Sequence, residues 1–344
     1  MSSTPRIALV TGAAGFIGAA VAERLLTEGW KVVGLDNIND YYTPVLKDAR
    51  LAHLHTHPDA EAFNFHKICL TDRQALIDLM TTTKPAVIIH LAAQAGVRYG
   101  LTHQVPYLES NLIGHFNMMA AAKALADMGA PVEHFLYASS SSVYGANAQP
   151  GIETMPFSES DDVSRPVSLY AATKRADEML THAWSHQFGM PATGLRFFTV
   201  YGPWGRPDMT PLMFTRNIMA GQKIPLFNHG DLWRDFTYID DIVEAIIRLI
   251  PTLPEAAPTP HAIYNLGNQS PVQMLNFVQT LSQVLGKSAD LDLREWPATE
   301  VYKTFANTSR LKNAVGWAPH TALEDGLARL AEWYKSTGAR ILGD

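Results

Sequence analysis

Three glycines spaced three apart, Gly12, Gly15 and Gly18, lie between an apolar run and an amphipathic one near the start of the chain, and no other stretch narrows the possible folds as much. Arg6-Ile7-Ala8-Leu9-Val10 is the short, apolar run of a strand buried on both faces. After Thr11-Gly12-Ala13-Ala14-Gly15-Phe16-Ile17-Gly18, apolar residues recur at helical spacing through Ala20, Val21 and Leu25 until Gly29 ends the helix. A second strand, Lys31 to Leu35, follows and ends on Asp36. Strand, glycine turn, helix and strand in that order predict the opening unit of a doubly wound parallel sheet. The glycines let the turn tighten, let backbone approach a pyrophosphate and let helix pack on strand, while the helix N-terminus faces the phosphates. An acid at position 36 accepts hydrogen bonds from an adenosine ribose and repels a 2′-phosphate. The ligand expected here is therefore NAD, held by Gly12, Gly15, Phe16, Ile17, Gly18, Asp36 and Asn37.

The pattern continues. Helix is expected from Pro44 to His57, strand over Phe63 to Leu70, a helix capped by Asp72 through Met80, and a fully apolar strand at Ala86-Val87-Ile88-Ile89-His90. The small residues that follow, Leu91-Ala92-Ala93, suit a cofactor, because ligands of open α/β sheets bind beyond the carboxyl ends of the strands. Asn111 to Leu125 reads as a helix, Glu133 to Ala138 as a strand and Pro191 to Thr199 as a sixth strand. His53, His55 and His57 have no nearby Cys or carboxylate ligands and are read as the end of an exposed helix, so no metal is expected.

With 344 residues and 47% hydrophobic content, the chain can bury a large core. Charges of both signs are mixed along it to a net of −6, which gives no basic stripe for nucleic acid or anionic lipid. The single cysteine, Cys69, excludes an intrachain disulfide, and no apolar run reaches the roughly 20 residues of a membrane helix. The expectation is a cytoplasmic protein acting on a small molecule.

Two further stretches carry chemistry. Ser168-Leu169-Tyr170-Ala171-Ala172-Thr173-Lys174 places a tyrosine and a lysine four apart, on one helical face, where an ammonium favours the phenolate of a tyrosine held nearby. The apolar residues Leu169, Ala172, Ala176, Met179 and Leu180 are expected to form that helix's buried face. Upstream, Ser139-Ser140-Ser141-Ser142 arrives at the same sheet edge, either to donate hydroxyls to a substrate or to cap a turn.

Beyond Tyr201 the composition shifts. A rigid loop, Gly202-Pro203-Trp204-Gly205-Arg206-Pro207-Asp208, precedes a helix over Pro211 to Ala220, and a hairpin turn is expected at Gly230 to Arg234. Asp240, Ser270 and Thr321 read as helix N-caps, the last two as capping-box patterns with Gln273 and Glu324. The fold class is α/β: a Rossmann-type domain over 1–200, to which segments around 236–268 return, and a smaller mixed α/β substrate domain over 201–344.

Together the glycine loop, the serine cluster and Tyr170/Lys174 resemble the extended short-chain dehydrogenase/reductases, nearly along the whole chain. Within them, the segments Leu35 to Tyr42, His90 to Tyr99, Tyr137 to Gly145 and Arg196 to Met209 are similar to UDP-glucuronate 4-epimerases. The resemblance implies Tyr170 as acid/base, Lys174 on the nicotinamide ribose and Ser140 at the sugar O4. It implies Ser141, Ser142, Thr199 and Arg206 around the substrate carboxylate, Arg234 on the diphosphate of a UDP-sugar, and a homodimer formed through the Asn111 and Tyr170 helices. The reaction implied is NAD-dependent conversion of UDP-glucuronate to UDP-galacturonate through a 4-keto intermediate.

Sugar dehydratases of this type carry Asp-Glu, and glucuronate decarboxylases a Glu, where this chain has Ser141 and Ser142. A 4-epimerase of neutral UDP-hexoses, and a non-catalytic NAD-sensing regulator, stand as the alternatives. The chain departs from the resemblance at Cys69, where an Asp usually binds the adenine amine, at Gly100 in place of Ser, and at Thr299-Glu300 in place of Gly-Asp.

Overall fold

A computed structural model describes residues 6–145, 156–296 and 301–344. The departure at Thr299-Glu300 lies outside them. Elements follow in the order β1 (Ile7–Thr11), α1 (Phe16–Thr27), β2 (Lys31–Asp36), α2 (Pro44–Leu54), β3 (Phe63–Lys67), α3 (Arg73–Thr83) and β4 (Val87–His90). Next come α4 (Val105–Tyr107), α5 (Gly114–Asp127), β5 (His134–Ser140), α6 (Leu169–Phe188), β6 (Ala192–Phe197) and β7 (Thr199–Tyr201). The remainder comprises α7 (Thr210–Ala220), β8 (Lys223–Phe227), β9 (Trp233–Tyr238), α8 (Ile239–Leu249), β10 (His261–Leu266), β11 (Pro271–Gln273), α9 (Met274–Leu285), β12 (Asp290–Arg294), α10 (Ser309–Val315), α11 (Leu323–Trp333) and α12 (Ala339–Leu342).

Seven strands form one sheet in the order β10-β6-β5-β4-β1-β2-β3, every neighbouring pair parallel. The chain winds outward from β1 to β3 and then crosses back to β4, so the order reverses between β1 and β4, where Thr11 pairs with His90. That reversal opens a crevice at the carboxyl ends of the two strands. Successive residues of β1 serve opposite faces. Ala8 and Val10 join the apolar cluster containing α1 and α8, whereas Leu9 packs with Leu76 and Met80 of α3 and Met118 and Leu125 of α5. The first cluster continues without a break into Phe277 and Leu281 of α9 and Leu327 and Leu330 of α11. There β11-β9-β7 and β12-β8 form two small sheets.

Several local readings are corrected by tertiary pairing. The expected helix beginning at Ser270 starts only at Met274, because Pro271–Gln273 pairs antiparallel with β9, and neither Ser270 nor Thr321 caps a helix. No hairpin forms at 230–234: β8 pairs with β12 and β9 with β7 and β11. Asp240 sits inside the first turn of α8, with Tyr238 at the N-cap. The helix expected over 111–125 begins earlier, at Val105, and runs through a π-helical turn at Leu108–Ile113 into α5. The helix from Pro44 stops at Leu54, three residues short of His57, and β3 and β6 end at Lys67 and Phe197. The expected cap at Asp72 does form, accepting from the Ala75 N–H, and Ser168 caps α6 in the same way from the Ala171 N–H.

The largest reversal concerns α6. Its buried side is polar, with Thr173, Lys174, Asp177, Glu178, Thr181 and Ser185, while Met179 and Leu180 are 53% and 40% exposed. Partner groups from the sheet explain it. Arg196 of β6 meets Glu178 through two hydrogen bonds of 2.8 and 2.9 Å, and Ser139 donates to the same carboxylate at 2.6 Å. Buried charge is tolerated where it is paired and fully hydrogen-bonded in this way.

Candidate active site

At the crevice between β1 and β4 lies a cavity of about 370 Å³, within the range of small-molecule sites. The expected residues Gly12, Gly15, Phe16, Ile17, Gly18, Asp36, Asn37, Leu91, Ala92, Ala93, Ser140, Ser141, Ser142, Tyr170, Lys174, Thr199 and Arg206 all line it. Arg234 does not; it stands on β9, where its guanidinium donates to the carbonyl of Trp233.

The glycine loop fits a dinucleotide. Gly12 has φ +73°, and a Cβ there would sit 3.0 Å from the Ala92 nitrogen. A Cβ on Gly18 would lie 2.1 Å from the Gly12 carbonyl oxygen, so helix and loop can meet only around glycine. Gly15 is the N-cap of α1 and offers no side chain to the first-turn amides, which leaves those donors for an anion at the cavity wall. Asp36 is held by the backbone N–H groups of Ala14 (3.2 Å) and Ile38 (2.9 Å). Cys69 lines the same end, accepting from the Thr71 hydroxyl at 3.2 Å. Its sulfur is a weak acceptor where a carboxylate would be a strong one.

Deeper in the cavity, Lys174 is 3% exposed. Two of the three protons of its ammonium are used, on the Ala138 carbonyl (2.9 Å) and on Asp177 (3.1 Å). Burial pushes the Asp177 carboxyl up to about 6, with the Lys174 charge opposing. Burial, reinforced by that ammonium, pushes the His90 imidazole down to about 3, so it is neutral and shares a 2.8 Å hydrogen bond with Thr11. The Tyr170 ring packs edge-on to Tyr107 at 6.2 Å. Tyr107 is raised to about 12 by burial and by Tyr170, and it donates to the Gly96 carbonyl. Asn111, in the π turn, bridges the Gln94 backbone and Thr173, fixing the loop after β4 to α6; such turns often mark functional sites.

The four serines divide. Ser139 is tied to Glu178, and Ser140 caps the short turn Ser141–Tyr144 by accepting from the Ser142 N–H at 3.1 Å. Ser141 and Ser142 line the cavity, the Ser142 hydroxyl accepting from that of Ser140 at 3.1 Å. Arg206 forks onto Asp208 and donates to the Tyr41 hydroxyl at 3.4 Å. Burial opposes ionisation of Asp208, but the guanidinium holds its carboxyl below the ordinary range.

Sequence reasoning missed Tyr41, Tyr42, Lys47, Gln94 and Met209 in the lining, and Arg50 behind it. The signal for Arg50 was present: a cation on the stripe Leu46–Arg50–Leu54, whose spacing of four marks a buried face. Among the described residues no His/Cys/Asp/Glu cluster could hold a metal, and no helix is long and apolar enough to cross a membrane.

Residues 8–267 match the model of the NAD dependent epimerase/dehydratase family. A probable UDP-glucuronate 4-epimerase of Rhizobium meliloti is 42% identical over 340 residues, 95% of this chain and 96% of the relative. UDP-glucuronate 4-epimerase 1 of Arabidopsis thaliana is 43% identical over 95% of this chain and 76% of its own length. Among solved structures, the UDP-glucuronic acid 4-epimerase of Bacillus cereus in complex with UDP-glucuronic acid and NAD superposes with a TM-score of 0.84 at 29% identity, over 96% of this chain and 99% of that one. On the extent of the family match and the level of these identities, the chain belongs to the NAD dependent epimerase/dehydratase family.

Proposed function

We propose that the protein is a nucleotide-sugar 4-epimerase that interconverts UDP-glucuronate and UDP-galacturonate with bound NAD. The observation that carries this reading is the composition of one cavity. Tyr170 and Lys174 share it with Arg206, Thr199, Ser141 and Ser142, and no carboxylate stands at positions 141 and 142. The names of the relatives at 42% and 43% identity support the same substrate. Bound NAD supplies the acceptor and donor of hydride at the sugar C4.

In this reading Tyr170 takes the proton of the C4 hydroxyl as the 4-ketone forms, and gives it back when the ketone is reduced on its other face. Lys174, anchored by Ala138 and Asp177, sets the positive charge beside that phenol. The Ser140 hydroxyl, on the cavity wall and held by the turn it caps, is assigned to O4. Oxidation of a uronate at C4 gives a β-keto acid, which loses carbon dioxide when the bond to its carboxylate stands perpendicular to the ketone plane. Arg206, Thr199, Ser141 and Ser142 hold the carboxylate out of that orientation. Arg206 already grips a carboxylate in its fork, that of Asp208. A neutral hexose offers this guanidinium no carboxylate beyond that of Asp208. Arg234 is assigned to the diphosphate on its motif.

We place the protein in the cytoplasm, on the strength of its single, exposed and unpaired cysteine. The Rossmann part is read as residues 1–200 with β10 in its sheet, and the substrate part as the remainder. A homodimer is inferred through α5 and α6, whose outer faces expose Phe116, Met179, Leu180 and Phe188.

Incubation of the purified protein with UDP-glucuronate, followed by proton NMR, tests the reaction. The expected result is a second sugar whose H4 shows the small couplings of an axial hydroxyl. An unchanged spectrum, or a pentose as the main product, contradicts it.

A further inference from the structure

Arg50 is buried to 1% exposure and has no catalytic reason to be there. Its hydrogen-bond partners are carbonyl oxygens and one phenol instead of a carboxylate. Nη1 donates to the Ala14 carbonyl at 3.0 Å and to the Tyr42 hydroxyl at 2.7 Å. Nε and Nη2 both donate to the Trp204 carbonyl, at 3.0 and 2.6 Å, and Nη2 reaches Gly205 at 3.2 Å. A guanidinium without an anionic partner is costly to bury, and a Leu would complete the stripe of α2 more cheaply. What the charge gains is geometry: five donors in one rigid plane that join two loops distant in sequence.

Those loops are the two halves of the site. Ala14 lies in the glycine turn, and its N–H is bonded to Asp36. Trp204 and Gly205 immediately precede Arg206. Trp204 has φ +62°, a left-handed conformation that a bulky residue adopts only when its surroundings enforce it. Two Arg50 donors on its carbonyl and the His53 ring stacked on its indole at 5.2 Å do so.

We propose that Arg50 is a positioning residue that clamps the dinucleotide-binding turn to the Arg206 loop, so that seating the dinucleotide in the turn fixes Arg206 in its carboxylate-holding place. The chain of contacts runs from Asp36 through Ala14 and Arg50 to Trp204 and Gly205. The consequence for products rests on the proposed epimerase reaction; the coupling itself does not.

The test is amide hydrogen exchange with and without NAD on wild type, Arg50→Leu and Arg50→Lys, together with product analysis from UDP-glucuronate. In wild type, NAD is expected to slow exchange both at residues 12–18 and at Trp204, Gly205, Arg206 and Asp208. In Arg50→Leu the first effect persists and the second shrinks by about fivefold or more, with carbon dioxide released per epimer formed rising by a similar factor. Arg50→Lys, which keeps the charge but lacks the planar fork that reaches both loops at once, retains the fold if the Leu variant does not, and shows the same loss in part. Equal protection of 204–208 in wild type and variants, or none in wild type, overturns the proposal. Wild type that leaves UDP-glucuronate untouched, yet shows coupling that Arg50→Lys loses, would sink the substrate reading alone.

Discussion

Replacing Tyr170 with Phe is expected to lower turnover of UDP-glucuronate by about 10³-fold while leaving the fold and the bound dinucleotide in place, since a positioned acid/base contributes about 10²–10⁴-fold. The edge-on packing against Tyr107 needs only the ring, which Phe retains. Lys174 keeps its anchors, because neither Ala138 nor Asp177 depends on the Tyr170 hydroxyl. Steady-state rates, with dinucleotide content read from the absorbance of the denatured protein, decide the matter. A variant within tenfold of wild type would remove Tyr170 from the chemistry.

Arg206→Ala is expected to change the product as well as the rate. Without the guanidinium the carboxylate of the ketone can swing toward the perpendicular orientation, and small misplacements of reacting groups cost about 10²-fold. Epimer formation should fall by about that factor, with carbon dioxide and a 4-keto pentose appearing among the products. The fold should survive, because the side chain is 19% exposed at the cavity wall and Asp208, its partner, is more exposed still. Unchanged rate and product ratio in a variant that binds substrate would assign the carboxylate to other residues.

Much of this site could be read from local sequence because its parts are local devices. The glycine turn, the acid at the end of β2 and the serines at the end of β5 each need only a few neighbouring residues to be recognised. The errors arose where a distant segment decided the outcome. Ser270-Pro271-Val272-Gln273 has the composition of a helix start, yet β9 lies beside it, and three backbone pairs outweigh a cap worth about 1 kcal/mol. On α6 the apolar residues suggested the buried side, but Arg196 from β6 supplies a partner for Glu178, and the polar face turns inward. The stripe Leu46–Arg50–Leu54 marks Arg50 as facing inward but not what it holds: apart from the Tyr42 hydroxyl its partners are backbone carbonyls of loops up to 155 residues away, and carbonyls leave no mark in a side-chain pattern.

In the proposed reaction C4 of a uronate is oxidised and reduced again within this cavity. UDP-glucuronate carrying deuterium at C4, turned over in ordinary water, tests it most directly. The expected result is a galacto-configured product that keeps its deuterium at C4, because the hydrogen removed there returns to the same carbon without meeting solvent. Exchange of the C4 label with water, or inversion at a different carbon with that label undisturbed, would contradict it.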